Sequence, residues 1–161
     1  MTNGSLGGPE LGGFDVFLKK IDPSGAELWS RQIGTSSRDG PGDVAIDSRG
    51  NIFVTGWTAG HLAAQNAGEV DLFLMKLDPS GNEVWSYQIG TDERDVGSSL
   101  AIDSQDNIYL SGTTLSDFAG EHQGDYDIFL IKFTVPEPTS MILFASGGLL
   151  IGFRRHDASR Q

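Results

Sequence analysis

Cysteine is absent from the 161 residues, and basic residues are half as frequent as acidic ones. The missing thiols exclude disulfides, zinc sites built on cysteine and thiol nucleophiles. The charge is uneven: eight Lys or Arg stand against twenty Asp or Glu before Val135, and three against two from there on. An acidic body repels phosphate backbones and has no basic cluster to neutralise them, so we discard nucleic-acid binding.

Two familiar patterns are missing as well. The start, "MTNGSLGGPELGG", has neither the basic residues nor the apolar run of a secretory signal peptide. Helical spacing of apolar residues appears nowhere before Val135. We therefore expect an all-β body, and an export signal that was lost or lies upstream.

Most of the chain is one motif written twice. "DVFLKKIDPSGAELWSRQIG" begins at Asp15 and "DLFLMKLDPSGNEVWSYQIG" at Asp71, 56 positions later, and "AIDSRGNIFVTG" then matches "AIDSQDNIYLSG" at the same offset. A third copy begins at Asp127 with "DIFLIKF". Repetition of this extent predicts a duplicated structural unit. The chain opens inside a repeat, so we expect the C-terminal piece of a longer array or a misplaced start codon.

The repeats divide the chain into consecutive parts. We predict the end of a preceding repeat (1–14), repeat 1 (15–70), repeat 2 (71–126), the first strand of a third repeat (127–134), an apolar terminal signal (135–156) and a tail (157–161).

Each period holds four short strand candidates separated by turn signals. "DLFLMKLD" is apolar on both alternating faces, as is typical of a strand buried between two layers. "DPSG" then favours a tight turn, because proline presets one turn dihedral and glycine adopts the unusual one. Four antiparallel strands per unit predict β-propeller blades. The predicted fold is an all-β partial propeller of about two four-stranded blades, the first strand of a third and a short C-terminal hydrophobic helix.

A propeller of this size leaves surfaces open. Propellers close with about four to eight blades, so that no long sheet edge or stacking face stays bare. We expect the chain to self-associate through its exposed blade faces or to be marginally stable.

The duplicated motifs resemble the bacterial beta-propeller repeats known as SBBP repeats, over residues 2–133. The resemblance implies a propeller in exported or surface proteins and brings no catalytic residue set. "LDPSGNEVW" is also similar to the Asp…Gly…Trp motif of quinoprotein propellers, whose tryptophan docks between blades. Trp29 and Trp85 are therefore expected to pack blades rather than to contact a cofactor, and we predict no cofactor.

The segment "VPEPTSMILFASGGLLIGFRR" near the C-terminus has a different character. Pro136 and Pro138 favour an extended linker, because proline fixes its own dihedral and restricts its predecessor. The apolar run 141–153 would span about 20 Å as a helix, against a hydrocarbon core of roughly 30 Å. Arg154 and Arg155 favour a cytoplasmic C-terminus. A recognition motif, a short membrane segment and a basic stop indicate a sorting signal.

This segment resembles the PEP-CTERM sorting signal. The resemblance implies recognition by the membrane protease-transpeptidase called exosortase, with Pro136, Glu137 and Pro138 as the recognition motif. It also implies transient membrane insertion through 139–153, export, and a final place in the cell envelope or on the extracellular surface.

The remaining polar residues favour structural roles. Four aspartates recur at matched turns, where a carboxylate accepts backbone N–H groups: Asp22, Asp47, Asp78 and Asp103. The acidic stretches 35–43 and 91–99 could bind calcium weakly, although neither has the spacing of a known calcium loop, and we predict no metal site. His61, His122 and His156 do not occupy equivalent positions, and Arg38 and Arg94 are expected to form surface ion pairs with the adjacent aspartates.

Two function classes remain open. The favoured one is a non-enzymatic exported module that binds or assembles with envelope proteins or polysaccharide, with loops 59–70 and 115–126, which differ between the copies, as candidate binding surfaces. The alternative is a fragment of a propeller enzyme, a hydrolase or lyase acting on extracellular polysaccharide. Acids, histidines or arginines converging on the channel side would favour the enzyme, and repeated small and apolar residues there would favour the module.

Overall fold

The computed structural model describes residues 11–118, 121 and 124–134, and this part of the chain contains nine strands and no helix. The strands are β1 (Val16–Ile21), β2 (Glu27–Ile33), β3 (Asp39–Ile46), β4 (Ile52–Thr58), β5 (Asp71–Leu77), β6 (Glu83–Ile89), β7 (Asp95–Ile102), β8 (Ile108–Thr114) and β9 (Asp127–Phe133). The all-β prediction is confirmed. The predicted C-terminal helix lies outside the described residues.

Antiparallel pairing joins these strands into three sheets with the orders β1-β2, β3-β4-β5-β6 and β7-β8-β9. The four-stranded sheet, here called the central blade, takes β3 and β4 from the end of one sequence repeat and β5 and β6 from the start of the next. The partial propeller is therefore confirmed, with its sheets offset by half a repeat from the sequence period. In the same way, β9 pairs with β8 of the preceding repeat. The β4-to-β5 and β8-to-β9 loops of 12 residues connect paired strands, whereas the five-residue β2-to-β3 and β6-to-β7 connections lead from one sheet to the next.

The central blade is buried on both faces, as its continuous apolar strand predicts. Phe73, Met75 and Leu77 pack with Val16 and Ile33 of the β1-β2 sheet. Residues of the opposite β5 face pack against the β7-β8-β9 sheet. The buried residues of this core are Phe53, Leu72, Leu74, Ile89, Leu100, Ile108, Leu110 and Phe129. Three sheets thus stack face to face in chain order.

The turns between paired strands are fixed locally. The N–H of Asp78 donates to the carbonyl of Asn82, and Gly81 donates back to the carbonyl of Asp78. Gly81 has φ 82° and its equivalent Gly25 has φ 87°, a region that glycine adopts without a side-chain clash. The "DPSG" turn prediction is confirmed in both copies.

Strands β3 and β7 lie next to each other at the edges of their sheets. Gly42 packs so closely on Gly97 that a Cβ at position 42 would collide with the carbonyl oxygen of Gly97. One carboxylate oxygen of Asp43 accepts hydrogen bonds from the N–H of Leu100 (2.8 Å) and the hydroxyl of Ser99 (3.2 Å). These two strands therefore form the converging side of the stack, where a complete propeller has its channel.

Candidate functional sites

The predicted sorting residues Pro136, Glu137, Pro138, Arg154 and Arg155 lie outside the described residues, as do His122 and His156. The candidate sites that the structure describes are the turns, the tryptophans at the sheet junctions, the buried acids at the blade end and the loop 59–70.

The four turn aspartates adopt one geometry. The Oδ1 atom of Asp78 accepts hydrogen bonds from the N–H groups of Ser80 (2.8 Å) and Asn82 (2.9 Å). The same two contacts, to the residues two and four positions later, recur at the other three: Asp22, Asp47 and Asp103. The side-chain amide of Asn82 also donates to Asp78 and is the largest cause of its lowered pKa. The predicted turn role is confirmed, and these carboxylates are occupied by their own backbone.

The two tryptophans occupy repeat-equivalent positions on β2 and β6. The indole N–H of Trp29 donates to the carbonyl of Pro79 at 3.2 Å, and its ring lies against Gly81 in the turn of the central blade. Trp85 contacts the core between the central blade and the third sheet, with ring centroids 5.9 Å from Phe53 and 4.8 Å from Tyr87. Both indoles thus lie in sheet junctions built from neighbouring protein groups.

A buried polar network lies where β5 begins. The side-chain amide of Gln88 donates to Asp71 and to the carbonyl of Gly60, both at 2.9 Å. Its oxygen accepts N–H groups from Leu62 (2.8 Å), Ala63 (3.1 Å) and Ala64 (3.3 Å). The side chain of Gln88 on β6 therefore fixes the backbone of loop 59–70 to the central blade. Gln32 donates to Asp15 at the equivalent place in the first repeat, so the recurrence of this pair at the 56-residue offset was the available sequence signal.

Two acids of this region are almost completely buried, with Asp71 1% and Asp95 0% exposed. Their Oδ1 atoms find no hydrogen-bond partner within the described part of the chain. Burial raises the pKa of Asp71, and the negative charge of Asp95 adds to the rise. The Oδ2 atom of Asp95 is held by the N–H of Thr91 at 2.6 Å and its hydroxyl at 2.8 Å. The carboxylates of Asp71 and Asp95 therefore lie close enough to interact, and both are shielded from solvent.

The acidic stretches considered for calcium use their carboxylates internally. Asp39 accepts hydrogen bonds from Thr35 and Thr58, and Asp95 from Thr91. Among residues 11–118, 121 and 124–134, no three His, Asp or Glu side chains are placed to hold a metal ion together.

Arg94 and His61 make contacts other than an ion pair or a metal site. The guanidinium of Arg94 lies over the Trp57 ring, 5.5 Å from its centroid, while the neighbouring Asp95 is bound by Thr91. The predicted Arg94–Asp95 ion pair is wrong, because successive residues at a strand start point to opposite faces. The Nδ1 atom of His61 accepts the N–H of Asn66 at 2.9 Å, so this histidine holds its own loop.

A cleft of about 530 Å³ lies between the first sheet and the central blade. Apolar side chains of both sheets line it, together with Arg31 and Glu83. Its described lining holds one carboxylate and therefore lacks the carboxylate pair that most glycoside hydrolases use.

Comparison with known families identifies both parts of the chain. The model of the SBBP beta-propeller repeat matches residues 28–63 and 84–119, and the model of the PEP-CTERM protein-sorting motif matches residues 134–155. The chain carries two SBBP propeller repeats and a PEP-CTERM sorting motif. Both predicted resemblances are confirmed. The PEP-CTERM motif supports export and sorting to the cell envelope, and it implies recognition by exosortase-type membrane processing machinery.

Two much longer relatives match part of this chain. The "Regulatory protein FlaEY" of Caulobacter vibrioides is 29% identical over 140 residues, which cover 79% of this chain and 15% of that protein. The "Uncharacterized WD repeat-containing protein L264" of Acanthamoeba polyphaga mimivirus is 23% identical over 114 residues, covering 63% of this chain and 8% of that one. This chain thus spans less than a sixth of the length of either relative.

Within residues 11–118, 121 and 124–134, no helix is long and apolar enough to cross a membrane.

Proposed function

We propose that this chain is a non-enzymatic propeller module that is exported, sorted to the envelope by its PEP-CTERM motif, and active there through binding or assembly. The observation that carries the proposal is the direct succession of the two parts: β9 ends at Phe133, and the sorting motif begins at residue 134. A sorting signal that follows the last propeller strand directly delivers the propeller sheets themselves to the cell surface.

The strands at the converging side support a non-enzymatic role. Exposed positions of β3 include Pro41, Val44 and Ile46, and those of β7 include Ser98 and Ala101. Small and apolar side chains thus occupy the exposed positions of both strands at the side where a propeller channel lies. The half-buried carboxylate of Asp43 on β3 is held by Ser99 and Leu100 of β7. Catalysis by a hydrolase or lyase needs acids or bases converging on bound substrate, and this surface offers the module's pattern instead.

Loop 59–70 is the proposed binding surface. Its backbone is held by Gln88 and by Asp71, which accepts the N–H of Ala67 at 3.0 Å. His61 and Gln65 are exposed on this fixed loop. A loop that is ordered before binding loses less entropy when it meets a partner. Envelope protein and polysaccharide are the proposed partners, and co-sedimentation of purified chain with extracted envelope polysaccharide measures the second.

The sorting step assigns a role to each motif residue. Pro136, Glu137 and Pro138 are the proposed recognition element for an exosortase-type transpeptidase. Residues 139–153 insert transiently into the membrane, and Arg154 and Arg155 stop transfer on the cytoplasmic side. Replacing Glu137 with Gln keeps the size of the side chain and removes its charge, so any loss of processing is due to the missing carboxylate and not to a change in side-chain volume.

The experiment compares intact mass and location in the native host. Wild type is expected in the envelope or medium, with the residues after the motif removed or replaced by an added group. Glu137→Gln is expected at full length in the inner membrane. Glu121→Gln makes the same chemical change at an exposed position outside the motif and should be processed like wild type. Normal processing of Glu137→Gln would refute the assigned recognition element.

A further inference from the structure

The three copies of the first repeat strand share one phenylalanine position with different environments. Phe73 in the central blade is 0% exposed and Phe129 in β9 is 7% exposed, whereas Phe17 in β1 is 38% exposed. Four residues after the phenylalanine, Leu77 of the central blade is 2% exposed, whereas its equivalent Ile21 in β1 is 59% exposed. The outward side of β1, carrying Phe17 and Ile21 and here called the β1 face, therefore repeats an apolar surface that is covered elsewhere.

The other side of the same repeat strand shows the reverse order. Val16 is 3% and Leu72 is 0% exposed, but their equivalent Ile128 in β9 is 84% exposed. Leu74 is 0% exposed, and its equivalent Leu130 is 70% exposed. The outward side of β9, with Ile128 and Leu130, is here called the β9 face. Among the described strands, the β9 face lies at one end of the stack and the β1 face at the other.

A lysine–aromatic contact on the β9 face matches one at the junction between the central blade and the third sheet. The ammonium of Lys132 lies 5.3 Å from the centroid of Tyr109, and the ammonium of Lys76 lies 5.3 Å from the centroid of Phe53. Phe53 belongs to the core between the central blade and the third sheet. The β9 face thus presents the same arrangement that already packs once inside the chain.

We propose that the β9 face of one copy packs against the β1 face of a second copy, reproducing the junction that joins adjacent sheets within the chain. The argument for a second copy is this internal template: the sequence already forms the contact twice, and the two open faces are its two halves. Each chain contributes three sheets, so two copies joined at both ends contribute six. A ring of six stacked sheets falls within the four to eight blades of closed propellers, with the central blade of each chain supplying all four strands and the other sheets supplying two and three described strands.

The new junction is expected to be weaker than the internal ones. Lys19 stands on the β1 face where Met75 stands in the central blade, and its ammonium pairs with Glu27 at 2.6 Å. Packing this face partly desolvates that pair, which costs free energy that the methionine does not. Association should therefore depend on protein concentration.

The experiment is sedimentation equilibrium on the full 161-residue chain, whose monomer mass is 17.3 kDa. Wild type is expected to shift toward twice that mass as concentration rises. Phe17→Lys blocks the β1 face and Leu130→Lys the β9 face, and each should weaken association at least about tenfold, since a buried apolar group is lost. Gln105→Lys adds the same charge in an exposed turn and should associate like wild type.

Mixing the two blocked variants distinguishes this geometry from others and shows that both variants are folded. The intact β9 face of Phe17→Lys can meet the intact β1 face of Leu130→Lys, so the mixture should form a one-to-one pair that neither variant forms alone. A face that packs on its own copy gives no such rescue.

Other occupants predict other results. A chain that stays monomeric at all concentrations would overturn the proposal and leave these faces to further repeats or another protein. Association that neither face variant weakens would also overturn it and would point to the apolar run 141–153. The proposal rests on the assembly part of the proposed function, and association in solution is measured separately from processing of the sorting motif. Either can fail without the other.

Discussion

At the scale of single residues, the least expected feature is the buried pair Asp71 and Asp95. A carboxylate that leaves water without a full set of partners destabilises the fold, and each of these has one oxygen without a described partner. Asp71 nevertheless holds Gln88 and the N–H of Ala67, which in turn hold loop 59–70. The acid therefore orders the loop at a cost to the stability of the blade.

Replacing Asp71 with Asn should raise the melting temperature at pH 8. The folded-state pKa of Asp71 is raised by burial above the unfolded value of about 3.9, so its ionisation makes the folded state less stable as pH rises through that interval. Asparagine keeps an acceptor oxygen and does not ionise. The gain should shrink toward pH 3.5, which thermal denaturation across pH 3.5–8 measures.

Asp78→Asn is the matched control with the opposite sign. Hydrogen bonds from Asn82 lower the pKa of Asp78, so its charge contributes stability above the unfolded pKa that is lost as pH falls through the folded one. This variant should melt lower than wild type at pH 8. Equal effects of the two substitutions would contradict the assigned environments.

The sequence indicated the turn aspartates but not the buried pair, for a physical reason. A turn carboxylate bonds to residues two and four positions later, so the five residues that begin at the aspartate contain these partners. The environment of Asp71 is set by Gln88, 17 residues away, and by Asp95 on another sheet. Local patterns do not encode such contacts, although the 56-residue recurrence of both acids and of the glutamine marked the positions.

At the scale of elements, we propose that Trp29 and Trp85 stabilise the sheet junctions. Trp29→Ala should lower the free energy of unfolding by roughly 2 kcal/mol, below the cost of truncating a fully buried tryptophan because the ring is partly exposed. Trp29→Phe should cost about 1 kcal/mol, since it keeps most of the packing and loses the bond to Pro79. Chemical denaturation at low protein concentration measures both.

Leu28→Ala provides the control for this strand. Leu28 is 57% exposed and precedes Trp29, so its side chain points to the opposite face of β2. It should change stability little. A loss as large as that of Trp29→Ala would mean that any truncation in β2 weakens the fold, and the junction role would not stand.

Strand positions were predictable from the sequence, but their grouping into sheets was not. Strands follow from alternation and turn signals within about ten residues. The limits of a sheet depend on which consecutive strands pair with each other. A repeated sequence does not show at which strand one sheet ends and the next begins, because any four consecutive strands have the same length of period. The pairing of Thr58 with Asp71 closes the central blade across the repeat boundary, and this contact is absent from any single repeat.

At the scale of the whole molecule, the two open faces make stability depend on protein concentration. A partner that binds the folded state raises the melting temperature by mass action. The melting temperature of wild type should therefore rise with protein concentration, and that of Leu130→Lys should not. Differential scanning calorimetry over a hundredfold range of concentration measures this. A concentration-independent melt of wild type would show that the faces are stable while bare.

The half-repeat offset between sheets and sequence period has a consequence for how such genes change. Recombination between repeats adds or removes a stretch of 56 codons, and the join regenerates the same sequence neighbours at any crossover point. Because the central blade and the β7-β8-β9 sheet each span a repeat boundary, the residues on both sides of the join still belong to one hydrogen-bonded unit. Arrays of this kind can therefore gain or lose a blade in one genetic event, and each strand still pairs with the same type of strand as before.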